Sequence, residues 1–256
     1  MHCKAKGVWK TTLIITEVSH YGIAMAADSA ETLDVQLSNS EQFVRVSAGV
    51  KKLQPIPYLN AAISGWGRGE IPDGAGTSKP TDVFMADFIA RHADASSIDS
   101  FASELAAELE SRLSGDQEPL GFHLAGIVDW RGGPTPTLYR VRNCDGKYGH
   151  LQIHEFIAGH DVEPQAFDPD RPRHLRNGDF GLFARFIDAL RFKIPFQYGG
   201  IQIPHPSLLG RALFWGSWIK FISDLYAASG LLRTIGGPVS VLTIDYAGTI
   251  TQLTLG

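Results

Sequence analysis

The chain has few cysteines for its 256 residues and no long apolar run. Its two cysteines, Cys3 and Cys144, stand far apart and outside any CxxC motif, which makes a reduced cytoplasmic setting the simplest interpretation. A run of about eighteen apolar residues, which a transmembrane helix would need, does not occur. Residues 1–10 are basic and lack the apolar centre of a signal peptide.

An excess of basic charge and a phosphate-binding motif are also lacking. The formal net charge of −4 and the pI near 6.1 give no electrostatic footprint for nucleic acid or for an anionic membrane surface. The glycine-bearing stretch 65–76 contains neither GKS nor GKT, and its spacing does not match a dinucleotide fingerprint. We therefore expect no nucleic-acid partner, no membrane partner and no cofactor.

What the chain does contain is strand-length apolar runs that alternate with pairs of amphipathic helices. The apolar content of 44% suffices for a full core, and this length fits one large domain. Strand blocks that alternate with helix pairs predict an α+β fold with two antiparallel sheets and helical layers outside. We expect a single domain over residues 1–256, with a leader at 1–10 and an insertion or long loop at 158–178.

Local signals place several of these elements. Thr81 is predicted to cap one helix, and Ser96 or Ser97 to cap a second, in which Phe101 and Leu105 begin an apolar stripe with a four-residue spacing. Hairpin turns are predicted at 19–22 and 132–134, and further helices at 177–190 and 207–229.

Residues with useful chemistry lie where the predicted strands begin and end. Asp28 ends the second strand, Lys52 opens the next strand-like segment, and Gly65 closes that segment. Two hydroxyl residues, Thr11 and Thr12, begin the first strand. A hydroxyl, a carboxylate and an amine could therefore meet at one end of a sheet.

The ordered set of these motifs carries a resemblance. The pieces are Thr11-Thr12-Leu13, the strand 22–28 with Ala26-Ala27-Asp28-Ser29, Val50-Lys51-Lys52-Leu53, the hairpin 126–141, and Ile235-Gly236-Gly237-Pro238-Val239. In this order they resemble the β-type subunits of proteasomes, in the N-terminal nucleophile hydrolase superfamily, and most closely the bacterial proteasome-like branch. The resemblance covers most of the chain apart from 158–178 and the last helices. It implies a four-layer αββα sandwich.

The resemblance also implies a chemistry. In that family a threonine freed at the start of the chain attacks an amide, and its own α-amine, with a pKa near 8, is the general base. Counting back from Asp28 without gaps places the nucleophile on Thr12, and Thr11 is the other candidate. Lys52, held by Asp28, would support the nucleophile, and the N–H of Gly65 would stabilise the oxyanion. The implied function is a threonine-type peptide hydrolase that acts once the leader is removed.

Two other functions stay open. One is a catalytically inactive proteasome-like subunit that serves assembly, and the other is a small-molecule amidase with a pocket closed by residues 66–80 or 158–178. The long apolar segment 207–229 favours a homo-oligomer, either a ring or a helical assembly. For the hydrolase we expect peptides or unfolded proteins as substrates.

Three histidines and one cysteine are weaker candidates. His150 and His154 fall on one face of a predicted strand, with His160 beyond, a spacing that could bind a metal. No fourth ligand is obvious nearby, so we expect no metal site. Cys3 could become a terminal nucleophile only after a cut directly before it, and it lies too far from Asp28 to suit the fold.

Overall fold

The computed structural model describes residues 12–36, 42–74, 76–130, 132–144, 147–152, 173–178, 207–229 and 235–256. Within these ranges the chain is a mixed α/β fold with two five-stranded sheets, both antiparallel throughout, as the sequence predicts. Of the helices in these ranges, none combines the length and apolarity that a bilayer crossing requires.

The first sheet, sheet I, has the strand order β12-β1-β2-β13-β14. The predicted turn at 19–22 is confirmed, because Gly22 pairs with Ser19 and has a φ of 120°. A Cβ at Gly22 would overlap the carbonyl oxygen of Ile244, so only glycine fits there. The strands are β1 (Leu13–Ser19), β2 (Gly22–Ala27), β12 (Arg173–Gly178), β13 (Val239–Ile244) and β14 (Ile250–Leu255).

The second sheet, sheet II, has the order β11-β10-β9-β6-β5. Its central hairpin, β9 and β10, confirms a turn at the predicted place, although Gly133 and Pro134 already belong to β10 and pair with Trp130 and Asp129. Its strands are β5 (Leu53–Ile56), β6 (Ala61–Gly67), β9 (Leu120–Trp130), β10 (Gly133–Cys144) and β11 (Lys147–Gln152). Two small hairpins, β3 (Ala30–Gln36) with β4 (Gln42–Ala48) and β7 (Glu70–Pro72) with β8 (Ser78–Pro80), and a 3-10 helix (Pro57–Leu59) lie outside the two sheets.

The described helices are α1 (Thr81–Arg91), α2 (Ile98–Leu113) and α3 (Leu208–Ser229). Ser97 caps α2 in a capping box with Ser100, which confirms the prediction. The predicted cap at Thr81 is wrong. Pro80 precedes α1, and Thr81 is its first residue and donates Oγ1–H to the carbonyl of Arg68 at 2.7 Å.

The buried apolar residues form three clusters, each bounded by different elements. One joins sheet II to α1 and α2, and a second joins sheet I to α3. The third lies between the two sheets, so β1 contributes Leu13 and Ile15 to the α3 side and Ile14 and Val18 to the sheet side. This alternation is the period-two pattern of a strand buried on both faces.

The region around the predicted insertion requires a correction. Residues 173–178 are not loop but strand β12, which pairs antiparallel with β1 from Leu13 to Val18. Ala30–Gln36 and Gln42–Ala48 pair antiparallel as the hairpin β3–β4, which no local signal in the sequence indicated. The predicted helix 177–190 falls largely outside the described residues, as do the rest of the insertion, residues 1–11, His154 and His160.

Candidate functional site

Asp28, directly after β2, is a buried carboxylate with four hydrogen-bond donors. Its Oδ1 accepts from the N–H of Leu13 at 3.0 Å and from Lys52 Nζ at 3.0 Å. Its Oδ2 accepts from the N–H groups of Ala30 and Gly236, both at 3.2 Å. The residue is only 1% exposed, so these donors replace the water that an ionised carboxylate requires.

Lys52, between β4 and β5, supplies the cation that Asp28 needs. Its ammonium donates to Asp28 and also to the carbonyl of Ala30, while the residue is 8% exposed. A buried ion pair is stable only when further hydrogen bonds satisfy its remaining groups, and both partners have such bonds here. The predicted Asp28–Lys52 pair is therefore present in the structure.

Thr12 precedes β1 and is held beside this pair by its neighbour. The Leu13 N–H and Lys52 Nζ bind the same oxygen of Asp28, and that N–H belongs to the peptide bond between Thr12 and Leu13. Thr12 itself is 5% exposed. Thr11 lies outside the described residues.

Gly178, at the end of β12, approaches Thr12 from the other side. Its φ is 100°, and a Cβ there would overlap the Thr12 carbonyl oxygen, so a side chain would push the two strands apart. Sequence reasoning missed this residue because the stretch was assigned to an insertion. The available signal was Asn-Gly at 177–178, which was interpreted as a helix cap.

Gly65 lies next to Lys52 but uses its N–H within sheet II. That N–H donates to the Lys52 carbonyl at 2.9 Å, which continues the β5–β6 ladder by one pair. A Cβ at Gly65 would meet Phe122 at 3.2 Å and Met85 at 3.3 Å. The structure thus brings Thr12, Asp28, Lys52 and Gly65 together, while the oxyanion role of Gly65 stays a prediction that would require release of this ladder bond.

Ser29 and Gly236 complete the surroundings of Asp28. The Ser29 N–H donates to the Gly236 carbonyl at 3.1 Å, and the Ser29 carbonyl accepts from Gly49 and Val50. These bonds fix the chain on both sides of the carboxylate. The Gly-Gly-Pro motif at 236–238 was noticed in the sequence, but nothing local showed that its first amide would bind Asp28.

An open groove of 780 Å³ runs between the β5 edge and the β14 edge of the two sheets. Ser29 and Lys51, the sequence neighbours of Asp28 and Lys52, line it, but none of the four candidate site residues does. The side chain of Ser29 lies at this groove, and its hydroxyl is buried with no hydrogen-bond partner among the described residues. Polar residues that line the groove include Lys51, Gln54, Asp82, Gln252 and Thr254.

No model of a protein family matches this chain, and a search of curated proteins also found no match. The geometry of the site therefore carries the functional argument.

A second polar cluster lies between the sheets. His123 is fully buried, its Nδ1 is 3.0 Å from Thr16 Oγ1, and its Nε2 is 2.7 Å from Asn177 Oδ1. A neutral ring with its proton on Nε2 satisfies both contacts, with Thr16 as the other donor. Burial lowers the pKa of His123 to about 4, with a smaller lowering from Arg140 and an opposing effect of Asn177.

Within the described ranges, no group of three or more His, Cys, Asp or Glu side chains is placed to hold a metal ion. His150 lies on β11, where its Nε2 is 3.6 Å from Asp99 Oδ1 at the start of α2. His150 therefore has a polar partner across the contact between β11 and α2.

Proposed function

We propose that this protein is a threonine-type amide hydrolase of the proteasome β-subunit kind, with a four-layer αββα sandwich as its fold. The observation that carries the proposal is the shared oxygen Oδ1 of Asp28, which binds both Lys52 Nζ and the N–H that follows Thr12. A hydroxyl residue, a buried cation and a fixed carboxylate thus converge at one end of the sheets.

The proposed reaction starts when a cut between Thr11 and Thr12 frees the α-amine of Thr12. Thr12 Oγ1 attacks the substrate carbonyl carbon, and its proton passes to that amine. The amine then delivers the proton to the leaving nitrogen as the C–N bond breaks, which leaves an ester on Thr12. Water hydrolyses the ester and restores the threonine, while the ammonium of Lys52 stabilises negative charge that develops on Oγ1.

The open groove supports peptides or unfolded proteins as the substrate class. Its described lining comes from the sheet edges, α1 and the Ser29 region, and no residue of 66–80 or 173–178 closes it. A small-molecule amidase would need a closed pocket, whereas this groove is open. The peptide hydrolase is therefore the better supported of the two enzymes, with action inside a homo-oligomer as part of the proposal.

The decisive experiment supplies the free amine directly. A fusion with an N-terminal ubiquitin-like domain, cleaved by its specific protease, releases a chain that begins at Thr12. We expect this chain to hydrolyse fluorogenic peptide amides and to gain the mass of a β-lactone probe. The Thr12→Ser variant should retain activity, and Thr12→Ala should lose both activity and labelling. A correctly folded chain from Thr12 that neither turns over nor reacts with the probe would sink the proposal.

One observation favours a catalytically inactive subunit as the second candidate. The Gly65 N–H is engaged by Lys52, and Thr12 is almost fully buried, so the described arrangement is not yet open to a substrate. Intact mass and N-terminal sequencing of the native protein separate the two functions. A mature chain that starts at Thr12 supports the hydrolase, whereas a retained leader supports a role in assembly.

A further inference from the structure

Among the described strands, the edge strand β14 differs from the other three edge strands of the two sheets. Exposed edges are usually protected by proline or by charged residues, because their unpaired N–H and C=O groups invite another strand. At the other edges β5 contains Pro55, β11 begins with Lys147, and β12 contains Arg173 and Arg176. The β14 sequence ITQLTL has none of these, and four of its six residues are exposed.

The hydrogen-bond register shows which groups of β14 point outwards. The Asp245 N–H donates to the Thr249 carbonyl at 3.2 Å, in the same register as the β13–β14 pairs. Hydrogen-bonded and non-bonded pairs alternate in an antiparallel ladder, so Thr251 and Leu253 face β13. The N–H and C=O groups of Gln252 and Thr254 therefore face the open edge, and neither makes a main-chain bond to other described segments.

The same two residues line the groove beside Asp28. The Gln252 side chain crosses it at one point, since its Nε2 contacts the Leu53 carbonyl at 3.5 Å. Ser29 also lines the groove, and the residue is 5% exposed. Its buried hydroxyl has no hydrogen-bond partner among the described residues, so a polar atom that enters from outside would satisfy it. The edge and the groove thus form one continuous surface.

The opposite wall decides what kind of segment fits. Val83, Ala86 and Ile89 of α1 provide an apolar face, and at one end Lys51 is exposed with no described acceptor for its ammonium. The Asp82 carboxylate is already bound to the N–H groups of Lys51 and Val83. The groove therefore complements a segment with small apolar side chains and one carboxylate.

We propose that the β14 edge and this groove bind an extended peptide segment of another polypeptide by strand addition. The main chain of the peptide pairs with Gln252 and Thr254, alternate side chains enter the groove towards α1, and a carboxylate meets Lys51. A second copy of β14 fits less well, because the only side chains it would direct at the groove are Ile250, Gln252 and Thr254 of that copy, none of them anionic. The inference does not depend on hydrolysis.

The test uses the full-length chain with Thr12→Ala, so that no probe is cleaved. The probe is an acetylated, fluorescently labelled hexapeptide of alternating valine and threonine that ends in aspartate, and its binding is followed by fluorescence anisotropy. Two further probes carry N-methyl groups on alternate residues in opposite phase. Strand addition uses only one phase of amides, so we expect one methylated probe to lose at least tenfold in affinity and the other to bind almost normally.

Two substitutions at one position provide the matched controls. Thr254→Pro removes the outward N–H without removing a bond to β13, and should abolish binding while circular dichroism shows a retained fold. Thr254→Val replaces only the hydroxyl by a methyl group and should leave the affinity for the probe within about twofold. Lys51→Met removes the proposed partner of the carboxylate and should weaken binding. Equal binding of the two methylated probes overturns the proposal even if the proline variant fails to fold. If light scattering shows a dimer that Thr254→Pro dissociates, the proposal is overturned in favour of pairing between two copies of β14.

Discussion

Two buried ion pairs of this protein look alike as pairs but differ in what surrounds them. Asp28 and Lys52 lie at the end of the sheets, where Asp28 also binds three main-chain N–H groups. Glu17 and Arg211 lie between β1 and α3, where Glu17 also accepts the Trp215 indole N–H at 2.8 Å. The first carboxylate joins three main-chain segments that are distant in sequence, whereas the second binds helix α3 to strand β1 of sheet I.

The comparison teaches that burial and charge do not identify a functional site. Glu17 is as inaccessible as Asp28, and the guanidinium of Arg211 lies 5.2 Å from the centre of the Tyr21 ring. Both partners of Glu17 named here are side chains of α3, and the apolar residues of α3 and sheet I form one buried cluster. Asp28 instead lies next to a groove and beside a hydroxyl residue that a single cut would make terminal.

The largest expected effect on catalysis is at Lys52. In the chain that begins at Thr12, we expect Lys52→Met to lower the turnover number by roughly 100-fold or more, a loss typical of a group that stabilises charge in the transition state. The free energy of unfolding should fall by about 3 kcal/mol, the low end for a buried charge that loses its partner, since Asp28 keeps three N–H donors. Steady-state kinetics and urea unfolding measure the two effects. Lys220→Met, at an exposed lysine of α3 outside the groove, is the control, and an equal loss of turnover there would remove the special role of Lys52.

The second pair should affect stability without affecting turnover. Glu17→Gln removes the buried charge that Arg211 binds, so we expect the free energy of unfolding to fall by about 3–5 kcal/mol. Turnover per folded molecule should not change, because the Glu17 side chain binds Arg211 and Trp215 of α3, and Glu17 lies four residues after Leu13 on β1. Replacing Glu17 and Arg211 together by leucine should recover much of the stability. If Glu17→Gln instead lowered turnover at full stability, the division between the two pairs would fail.

His123 sharpens the comparison because it is buried with no anionic partner among the described residues. Its pKa is about 4 in the folded protein and near 6.5 when unfolded, so between these values only the unfolded chain binds the proton. The free energy of unfolding should therefore fall as pH drops from 6.5 to 4, by about 3 kcal/mol in total, and level off below that. Urea unfolding across this range, compared with His123→Gln, isolates the contribution, and identical slopes for the two proteins would disprove it.

The smallest expected effect is on stability, through the packing of Gly178 of β12 against Thr12. Gly178→Ala and Gly132→Ala both place alanine at a positive φ, of 100° and 83° respectively, but only the first meets neighbouring atoms. We expect Gly178→Ala to lower the free energy of unfolding by about 2 kcal/mol more than Gly132→Ala does. Thermal unfolding measures the difference. Equal destabilisation would show that the close approach of Gly178 to Thr12 contributes nothing.

Much of the fold was predictable because its signals are local. Alternation of apolar residues, the Ser97 capping box and the turns at Gly22 and Gly133 each depend on neighbours within a few positions, so the hairpins β1–β2 and β9–β10 and the three described helices were predictable. Thr81 failed as a cap because Arg68, distant in sequence, takes its hydroxyl hydrogen bond. β12 was missed because its partner β1 lies about 160 residues earlier, and register with a remote strand leaves no local trace.

The candidate site divides in the same way. By itself the sequence determined the residue types and their order: a hydroxyl pair before the first strand, Asp28 at the end of the second, and Lys52 before β5. Only the tertiary structure decided that one oxygen of Asp28 binds both Lys52 and the N–H that follows Thr12. It also decided that the Gly236 N–H binds Asp28 and that Gly178 packs against the Thr12 carbonyl. The hydrogen bond of the Gly65 N–H to the Lys52 carbonyl likewise depends on the pairing of strands in sheet II. The reason is physical: a hydrogen bond requires its donor–acceptor distance to be correct to within a few tenths of an ångström, and only sheet pairing brings these segments together.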